Sequence, residues 1–208
     1  MYAFNHQLDD NVFAPITHAY MSATPTPVRS ALRAAVDNMR EPRTMMNDLL
    51  QNRPSLARQA GRRFIINSTV GVLGLFDAAS ASGVPVHRSD FGQTLGRYGV
   101  NPGRYIFVPV VGPLDLRDGA GRLVDILTDP ISLLAGGVST SFGTSRLMVS
   151  AIDFRAAADS QIKATEDGAT DPYATVRSAY VQRRAYLVGQ ALGVEPDLPN
   201  FDVPSVAQ

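Results

Sequence analysis

Residues 64–76 read FIINSTVGVLGLF, residues 105–114 read YIFVPVVGPL and residues 130–145 read PISLLAGGVSTSFGTS, and none of the three carries a charge. A single helix needs about 20 predominantly apolar residues to span a bilayer. These stretches hold 13, 10 and 16 residues and are interrupted by Gly, Pro, Ser or Thr. None can cross a membrane alone. They therefore form either an ordinary core or a surface that enters one leaflet of a membrane.

Length and composition favour one compact unit. The 208 residues suffice for one sizeable core, and no linker divides them. We expect a helical domain over residues 2–192 and an irregular tail over 193–208, which contains three prolines. The 19 basic and 19 acidic residues cancel, so no general affinity for nucleic acid is indicated. Without Cys, the chain forms no disulfide and no Cys-ligated zinc site.

Helix signals dominate the sequence. Capping residues or prolines predict helix starts at Thr26-Pro27, Pro42, Ser55 and Ser89 or Asp90. Gly99 is expected to end the last of these helices. Two long helices are predicted at about Thr144–Asp167 and Asp171–Leu192, the second with Asp171 as cap and Pro172 in the first turn.

The segment Tyr105–Val111 is rich in β-branched residues and could form a strand. Pro109 within it instead favours an extended crossing or an edge segment. No second strand of comparable strength is available to pair with it. The predicted fold class is therefore all-α.

Charged residues fall on the apolar faces of both long helices. In the first, Arg155 and Asp159 lie within the stripe that contains Met148 and Ile152, and their i, i+4 spacing allows an ion pair. In the second, Arg177, Arg183 and Arg184 share the face that carries Tyr173, Val176, Tyr180 and Leu187. One interpretation is a buried ion-pair network in which Asp90, Asp118 or Asp125 serves as partner. The other is a passage wall, part apolar and part charged, that accommodates acyl chains and a phosphate head group.

The segment from Arg29 to Arg63 is basic, with eight Arg against Asp37, Glu41 and Asp48. Such a surface could meet anionic lipid head groups or simply stay solvated.

No catalytic pattern stands out. His6, His18 and His87 lack the spacing of metal ligands, and no G-x-S-x-G or P-loop motif is present. A hydrolase site using Asp77 or Asp90 beside a Ser or His has no specific support. We therefore expect no enzyme activity, no metal and no cofactor.

An ordered series of motifs resembles the MlaA (VacJ) family of outer-membrane lipoproteins over residues 2 to 188 or so. The first half carries Phe4-Asn5 with Leu8-Asp9 and Pro15, Asn38-Met39-Arg40-Glu41-Pro42 with Asn47 and Leu50-Gln51, and Arg63-Phe64 with Asn67-Ser68-Thr69, Gly71, Gly74 and Phe76-Asp77. The second half carries Asp90-Phe91-Gly92-Gln93-Thr94-Leu95-Gly96 with Gly99-Val100, Tyr105 with Pro109, Gly112, Arg117-Asp118, Gly121 and Asp125, and Asp171-Pro172-Tyr173 with Arg177, Ala179-Tyr180 and Gln182-Arg183.

The resemblance implies a helical disc or ring in the inner leaflet of a Gram-negative outer membrane, around an amphipathic channel. Members of the family remove phospholipids misplaced in the outer leaflet and pass them to the periplasmic carrier MlaC. They act beside trimeric porins and use no cofactor. The resemblance also implies an acylated Cys upstream of residue 1, which anchors the protein to the membrane.

Two departures from the family pattern limit this inference. Ala34-Ala35 stands where many members have Asn-Phe, so a role tied to that pair is not carried over. Arg104 stands where a Pro usually precedes Tyr105, which could alter the local loop or add a charge at the membrane or channel rim.

The resemblance turns the sequence features into site expectations. Candidates for the channel wall are Arg155, Asp159, Arg184, Met148, Ile152 and Phe142. Candidates for the membrane-facing surface are Phe64, Leu73, Leu75, Phe76, Ile106, Phe107, Leu133 and Leu134. Candidates for structural motif positions are Asn38, Glu41, Pro42, Asn67, Asp90, Phe91, Gly92, Gly96, Arg117 and Asp118. Gly136 and Gly137 would permit a hinge beside the channel or form an ordinary helix-ending turn.

Three classes of function remain open at this point. The protein is a lipid-conducting channel component, a membrane-bound scaffold that docks a porin and a carrier, or, with least support, a lipid hydrolase. A channel component needs charged and apolar residues along one continuous cavity, whereas a scaffold has a sealed core. A hydrolase needs a nucleophile within hydrogen-bond reach of a base.

Overall fold

The computed structural model of the protein describes residues 2–108, 111–137 and 140–194. Most of the predicted tail, residues 195–208, lies outside these ranges, as does Pro109. The helices are α1 Tyr2–Leu8, α2 Ala14–Ala23, α3 Thr26–Asn38, α4 Glu41–Leu50, α5 Pro54–Thr69, α6 Ala78–Ala81, α7 Phe91–Arg97, α8 Leu116–Leu127, α9 Pro130–Leu134, α10 Ser141–Gly168 and α11 Pro172–Leu192. A π-helical turn, Asp9–Phe13, joins α1 to α2, and the strands are β1 Tyr105–Val108 and β2 Gly112–Asp115. The all-α class is confirmed.

The two short strands form an antiparallel hairpin. Tyr105 lies opposite Asp115, and Val108 lies opposite Gly112. The expectation that Tyr105–Val111 has no partner strand was therefore wrong. The partner strand begins within the same apolar stretch. Its sequence, Gly-Pro-Leu-Asp, was not recognised as a strand because Gly and Pro are poor strand formers.

The helix starts follow the capping signals closely. The Asp90 carboxylate accepts a hydrogen bond from Gln93 N at 2.8 Å and so caps α7, and Asp171 accepts one from Ala174 N at 3.0 Å and caps α11. Helix α5 begins at Pro54 and not after a Ser55 cap, because proline fits the first helical position without losing a hydrogen bond.

Glycines bring α7 and α8 into backbone contact. A Cβ atom added at Gly121 would lie 2.3 Å from Gly92 N, and one added at Gly92 would lie 2.6 Å from Asp118 Oδ1. On the other side of α7, Gly96 leaves room for Val188 of α11. Helix α7 is thereby held between α8 and α11, while α5 packs on α4, and α10 packs on α2 and α3.

The interior is polar. The buried apolar residues within the described ranges are small, namely Ala35, Val36, Ala57, Ala60, Ala79, Val84 and Ala191. Gln51 and Asp48 are among the largest side chains with no exposure at all. Large apolar side chains such as Leu134 lie outside, 87% exposed. Polar contacts therefore hold the helices together, and the large apolar side chains lie on the surface, where they are available for contact with a medium less polar than water.

Candidate functional site

The first polar cluster is centred on Arg63 of α5, which is 3% exposed. Its Nε donates to Glu41 Oε1 at 2.7 Å, and its Nη2 donates to both oxygens of Asp77 at 2.9 and 3.0 Å. Asn67 Nδ2 donates to Asp77 Oδ1 at 3.2 Å, and Asn67 Oδ1 accepts from Ala79 N. The cluster joins α4, α5 and α6.

The environment of Asp77 stabilises its ionised form. Partial burial acts to raise the pKa of this carboxyl, but hydrogen bonds from Ser80, Arg63 and Asn67 outweigh it and lower the pKa to about 2. Asp77 is the one charge in the apolar segment between Phe64 and Val86. The guanidinium of Arg63, the residue directly before that segment, balances the charge of Asp77.

The second cluster is centred on Arg184 of α11. Its Nη1 donates to Asp90 Oδ2 at 2.7 Å, and its Nη2 donates to Asp118 Oδ1 at 2.7 Å. Tyr180 OH donates to Asp118 Oδ2 at 2.7 Å, and Arg117 Nε donates to Asp118 Oδ1 at 3.1 Å. Burial acts to lower the pKa of Arg184, but its two carboxylate partners raise it. The charges of α7, α8 and α11 are thereby paired at one junction.

Asp125, the third partner considered for Arg184, belongs to a different cluster. Its carboxylate accepts from Asn47 Nδ2 at 2.9 Å and from Phe91 N at 3.0 Å. Thr94 OH donates to Asn47 Oδ1 at 2.9 Å and accepts from Gln51 Nε2 at 3.0 Å. These buried contacts fasten α4 to α7 and α8.

The fourth cluster lies along α10. Arg155 donates from Nε and Nη2 to the two oxygens of Asp9, at 2.8 and 2.7 Å, and from Nη1 to Asp159 Oδ1 at 2.8 Å. The spacing-based ion pair of Arg155 with Asp159 is therefore present. Lys163 lies 3.0 Å from the other oxygen of Asp159. Hydrogen bonds from Lys163 and then from Arg155 lower the pKa of Asp159 to about 2.

Two further arginine pairs connect α10 to the rest of the molecule. Arg33 of α3 binds both oxygens of Asp153 at 2.7 and 3.0 Å. Arg146 binds Asp129, which caps α9, and donates to Met39 O at 3.0 Å. Neither pair was identified from the sequence, because the partners are 120 and 17 residues apart and only the fold brings them together.

A His, an Asp and a Ser meet beside α4, but not as a catalytic triad. His87 Nε2 lies 2.6 Å from Asp48 Oδ2, and Ser89 OH donates to Asp48 Oδ1. Both side chains bind the same carboxylate. The other ring nitrogen of His87 lies 3.3 Å from Gln59 Nε2. Among the described residues no hydrogen bond joins Ser89 to His87, so the group lacks the serine-to-histidine contact of a catalytic triad.

The candidate membrane-facing residues differ in exposure. Leu73, Leu75, Phe76, Ile106, Leu133 and Leu134 are exposed, while Phe64 and Phe107 are half-buried. Val72 and Leu73 adopt left-handed backbone conformations with φ of 52° and 57°. That geometry costs a non-glycine residue about 1–3 kcal/mol. The turn after α5 thus displays Leu73, 78% exposed, at the expense of local strain.

The remaining candidates lie around the start of α10. Phe142 and Met148 are exposed on this helix, and Ile152 is half-buried one turn later. Gly136 and Gly137 follow α9 with φ of 90° and 102°, a backbone conformation open chiefly to glycine. Across the described ranges, no helix is long and apolar enough to cross a membrane.

A cavity of about 220 Å³ lies at the basic segment between Arg29 and Arg63. It is bounded by α3, the start of α4, α5 and residues 86–88. Arg40 and Arg88 line it. Arg40 belongs to a motif and a basic segment identified from the sequence, but neither residue was predicted to line a cavity, and Arg88 lies outside that segment.

The fold and these sites define a class of protein. It is a helical protein that pairs its charged groups inside and turns its large apolar side chains outward, the distribution expected where a surface meets lipid. The family model described as MlaA lipoprotein matches residues 1–187, and the chain belongs to this family.

Individual relatives agree with this assignment. The chain is 31% identical over 219 residues to the intermembrane phospholipid transport system lipoprotein MlaA of Shigella flexneri, covering 97% of this chain and 84% of the relative. It is 35% identical over 190 residues to an uncharacterised protein of Rickettsia bellii, covering 88% and 71%. A solved structure described as the structural basis for maintenance of bacterial outer membrane lipid asymmetry matches with a TM-score of 0.79 at 29% identity, covering 90% of this chain and 94% of the other.

Proposed function

We propose that this protein transports phospholipid at the outer membrane and maintains the lipid asymmetry of that membrane. It removes misplaced phospholipids from the outer leaflet through an amphipathic channel. The observation that carries the proposal is the inverted distribution of side chains, with charged groups paired inside and large apolar groups outside. The names of the MlaA relatives support the same activity.

The apolar surface is proposed to lie in the periplasmic leaflet. Leu73, Phe76, Leu133 and Leu134 are exposed on short turns and helices, as expected for a protein that enters one leaflet. Each buried apolar side chain gains about 1.5–3 kcal/mol relative to water, so a few of them supply substantial affinity. An acylated Cys upstream of residue 1 is proposed to add the second anchor.

The channel wall is proposed to run along α10 and to end at Arg184. Arg155 and Asp159 would supply its polar side, and Phe142, Met148 and Ile152 its apolar side. Arg155 is largely enclosed, with 13% of its side chain exposed, and its pairing with Asp9 and Asp159 holds the guanidinium in place. A fixed, paired cation can meet a phosphate group without the cost of an isolated buried charge.

The glycine pair is proposed to serve as the hinge of this wall. Gly136 and Gly137 connect α9, which carries the exposed Leu133 and Leu134, to the segment before α10. A hinge at this point would let a membrane-inserted helix move relative to the wall.

Two partners are proposed, a trimeric porin in the membrane and the soluble carrier MlaC in the periplasm. The description of the relatives as parts of an intermembrane transport system supports the existence of further components. The alternative is a scaffold that docks these partners without conducting lipid. A lipid hydrolase is the weakest alternative: Ser89 and His87 bind Asp48 separately, and although Ser80 donates to Asp77 Oδ2 at 2.6 Å, Arg63 and Asn67 already hold that carboxylate in its ionised form.

The proposal is tested in the native host by deleting the gene and measuring phospholipid in the outer leaflet. Deletion should raise surface-exposed phospholipid, and the wild-type protein should restore the parental level. A strain that keeps normal asymmetry after deletion would contradict the function. Purified protein should return labelled phospholipid intact, and turnover lost on substituting a single Ser or Asp would instead establish a hydrolase.

A further inference from the structure

The turn after α5, residues 70–76, satisfies its own backbone while its apolar side chains stay exposed. Every N–H group of these residues donates to a backbone carbonyl oxygen, at 2.7–3.4 Å, and most of the acceptors belong to the last turn of α5. Val70, Leu73 and Phe76 are exposed on this turn. Hydrocarbon offers no acceptor, so a segment enters it only when its N–H groups are bonded within the protein. The turn meets this condition without water.

The outward face of α5 changes from basic to apolar along the helix. At 3.6 residues per turn, Arg58, Arg62 and Ile65 fall within a sector of about 60°. All three are exposed, as is Thr69, which lies in the same sector. The two arginines are on the side away from the turn, and Ile65 is next to it. One helix face therefore combines a charged part with a part suited to hydrocarbon.

The two arginines of this face differ from their neighbour in pairing. Arg63, on the inner side of α5, binds the carboxylates of Glu41 and Asp77. In the part of the chain that the structure describes, Arg58 and Arg62 form no ion pair and no side-chain hydrogen bond. An anionic partner can therefore bind these two guanidinium groups without breaking an existing pair.

The spacing along α5 matches the layers of a bilayer. At 1.5 Å per residue, Arg62 and Arg58 precede Ile65 by about 5 and 10 Å along the helix axis. The head-group layer on each side of the hydrocarbon is about 5–7 Å thick. An arginine also extends its guanidinium towards water while its methylene groups stay on apolar surface. With the turn in hydrocarbon and α5 rising from it, both guanidinium groups lie at the level of the lipid phosphates.

We propose that Arg58 and Arg62 bind the head groups of anionic phospholipids in the leaflet that the turn after α5 enters. A guanidinium donates to phosphate oxygens, and its charge favours lipids whose head group is negative overall. The two contacts hold residues 70–76 at a fixed depth. The inference rests on the proposed function for the membrane surface, and it adds the class of lipid that meets α5.

The test uses a single Trp as an optical reporter of insertion. The chain contains no Trp, and Leu73 is exposed, so Leu73→Trp adds one probe without disturbing the interior. The full-length variant is titrated with vesicles of phosphatidylcholine, alone or mixed in equal parts with phosphatidylglycerol. Brominated acyl chains quench the Trp when it reaches the hydrocarbon. Both vesicles should quench, and affinity for the mixed vesicles should be higher by about 25-fold, or about fivefold for each arginine.

Substitutions in the same background assign the preference to α5. Arg58→Gln and Arg62→Gln should each lower the affinity for mixed vesicles by about fivefold and leave the affinity for phosphatidylcholine unchanged. Arg58→Lys keeps the charge and should keep the preference. Arg183→Gln on α11 removes the same charge from an exposed position and is the matched control. A loss in Arg183→Gln equal to that of the α5 variants overturns the inference, because any charge would then serve.

Failure of the inference is distinguishable from failure of the proposed function. Quenching in both vesicles with equal affinity overturns the head-group contact and leaves the proposed membrane surface intact. A preference for phosphatidylglycerol that both Gln variants lower, without quenching, supports the head-group contact and contradicts insertion of the turn. Raised salt should remove the preference but not the quenching, because it screens charges and leaves apolar burial in place. Binding of neither vesicle overturns both.

Discussion

Arg184 on α11 binds Asp90, the residue that caps α7, with Nη1 2.7 Å from Oδ2. One carboxylate therefore both starts a helix and fixes the position of another helix. The same guanidinium also reaches Asp118 of α8. Three helices therefore meet at this single cation.

Replacing Arg184 by Leu should destabilise the fold. Asp90 and Asp118 would lose their shared cation, but Asp90 is 35% exposed and Asp118 would keep Arg117, so the cost should fall below the figure of about 3–5 kcal/mol for leaving a fully buried charge unpaired. The measurement is thermal unfolding in detergent, followed by circular dichroism. The expectation that Arg177 and Arg183 share the apolar face with Arg184 was wrong, since both are exposed. Arg183→Leu is therefore the matched control and should change stability little. Equal midpoints for the two variants would show that the junction is not held by this charge.

Replacing Arg155 by Leu should affect lipid more than stability. Asp159 would keep its contact with Lys163, and Asp9 is partly exposed, so the unpaired carboxylates retain a counterion or water. We expect near-normal abundance in the membrane together with a build-up of outer-leaflet phospholipid. Lys163→Leu, which removes the exposed partner of Asp159, is the control and should leave asymmetry unchanged. Normal asymmetry in Arg155→Leu would remove Arg155 from the proposed wall, and loss of the protein would assign it to a structural network.

Much of the local structure could be predicted from the sequence, because caps act over a few residues. Asp90 and Asp171 were identified as helix starts by their type and by the residues that follow. The spacing of Arg155 and Asp159 allowed the ion pair that the structure contains, for the same reason. The hairpin partner of Tyr105–Val108 was missed, because a four-residue strand that contains Gly and Pro has no recognisable pattern.

Contacts between distant segments could be predicted only as sets of alternatives. Asp90, Asp118 and Asp125 were all considered for Arg184, and the fold selects the first two, because Asp125 faces Asn47 and the start of α7. The pairing of Arg155 with Asp9 spans 146 residues and left no trace in the periodicity. The resemblance to the family indicated a lipid-facing exterior, but not which ion pairs close the interior.

A methyl group at Gly121 should force α7 and α8 apart. The new Cβ would lie 2.3 Å from Gly92 N, a backbone atom that cannot move without displacing the helix. Overpacking of this kind costs about 1–3 kcal/mol or more. Gly119→Ala on the same helix meets only the Leu114 side chain at 3.2 Å and serves as the control in the same unfolding measurement. A Gly121→Ala protein as stable as Gly119→Ala would contradict the close approach.

Acid should weaken the cluster around Arg63. The pKa of Asp77 is about 2 in the folded protein, below its ordinary value of 3.8, so its ionised form stabilises the native state. This contribution is complete above the ordinary value and is lost as the pH falls from about 4 towards 2. Asp77→Asn should flatten the dependence of the melting temperature on pH in that range. Asp10→Asn, at an exposed site, is the control, and an unchanged pH profile in Asp77→Asn would contradict the assignment.

Conduction of lipid by the protein itself is the central claim, and a liposome assay tests it most directly. A phospholipid with a fluorescent head group is placed in both leaflets, and dithionite is added outside to bleach only the accessible molecules. With wild-type protein inserted, the protected inner-leaflet fluorescence should decay, and with Arg155→Leu it should decay far more slowly. Fluorescence that stays protected with correctly folded wild-type protein would contradict the channel and favour a scaffold that only docks its partners.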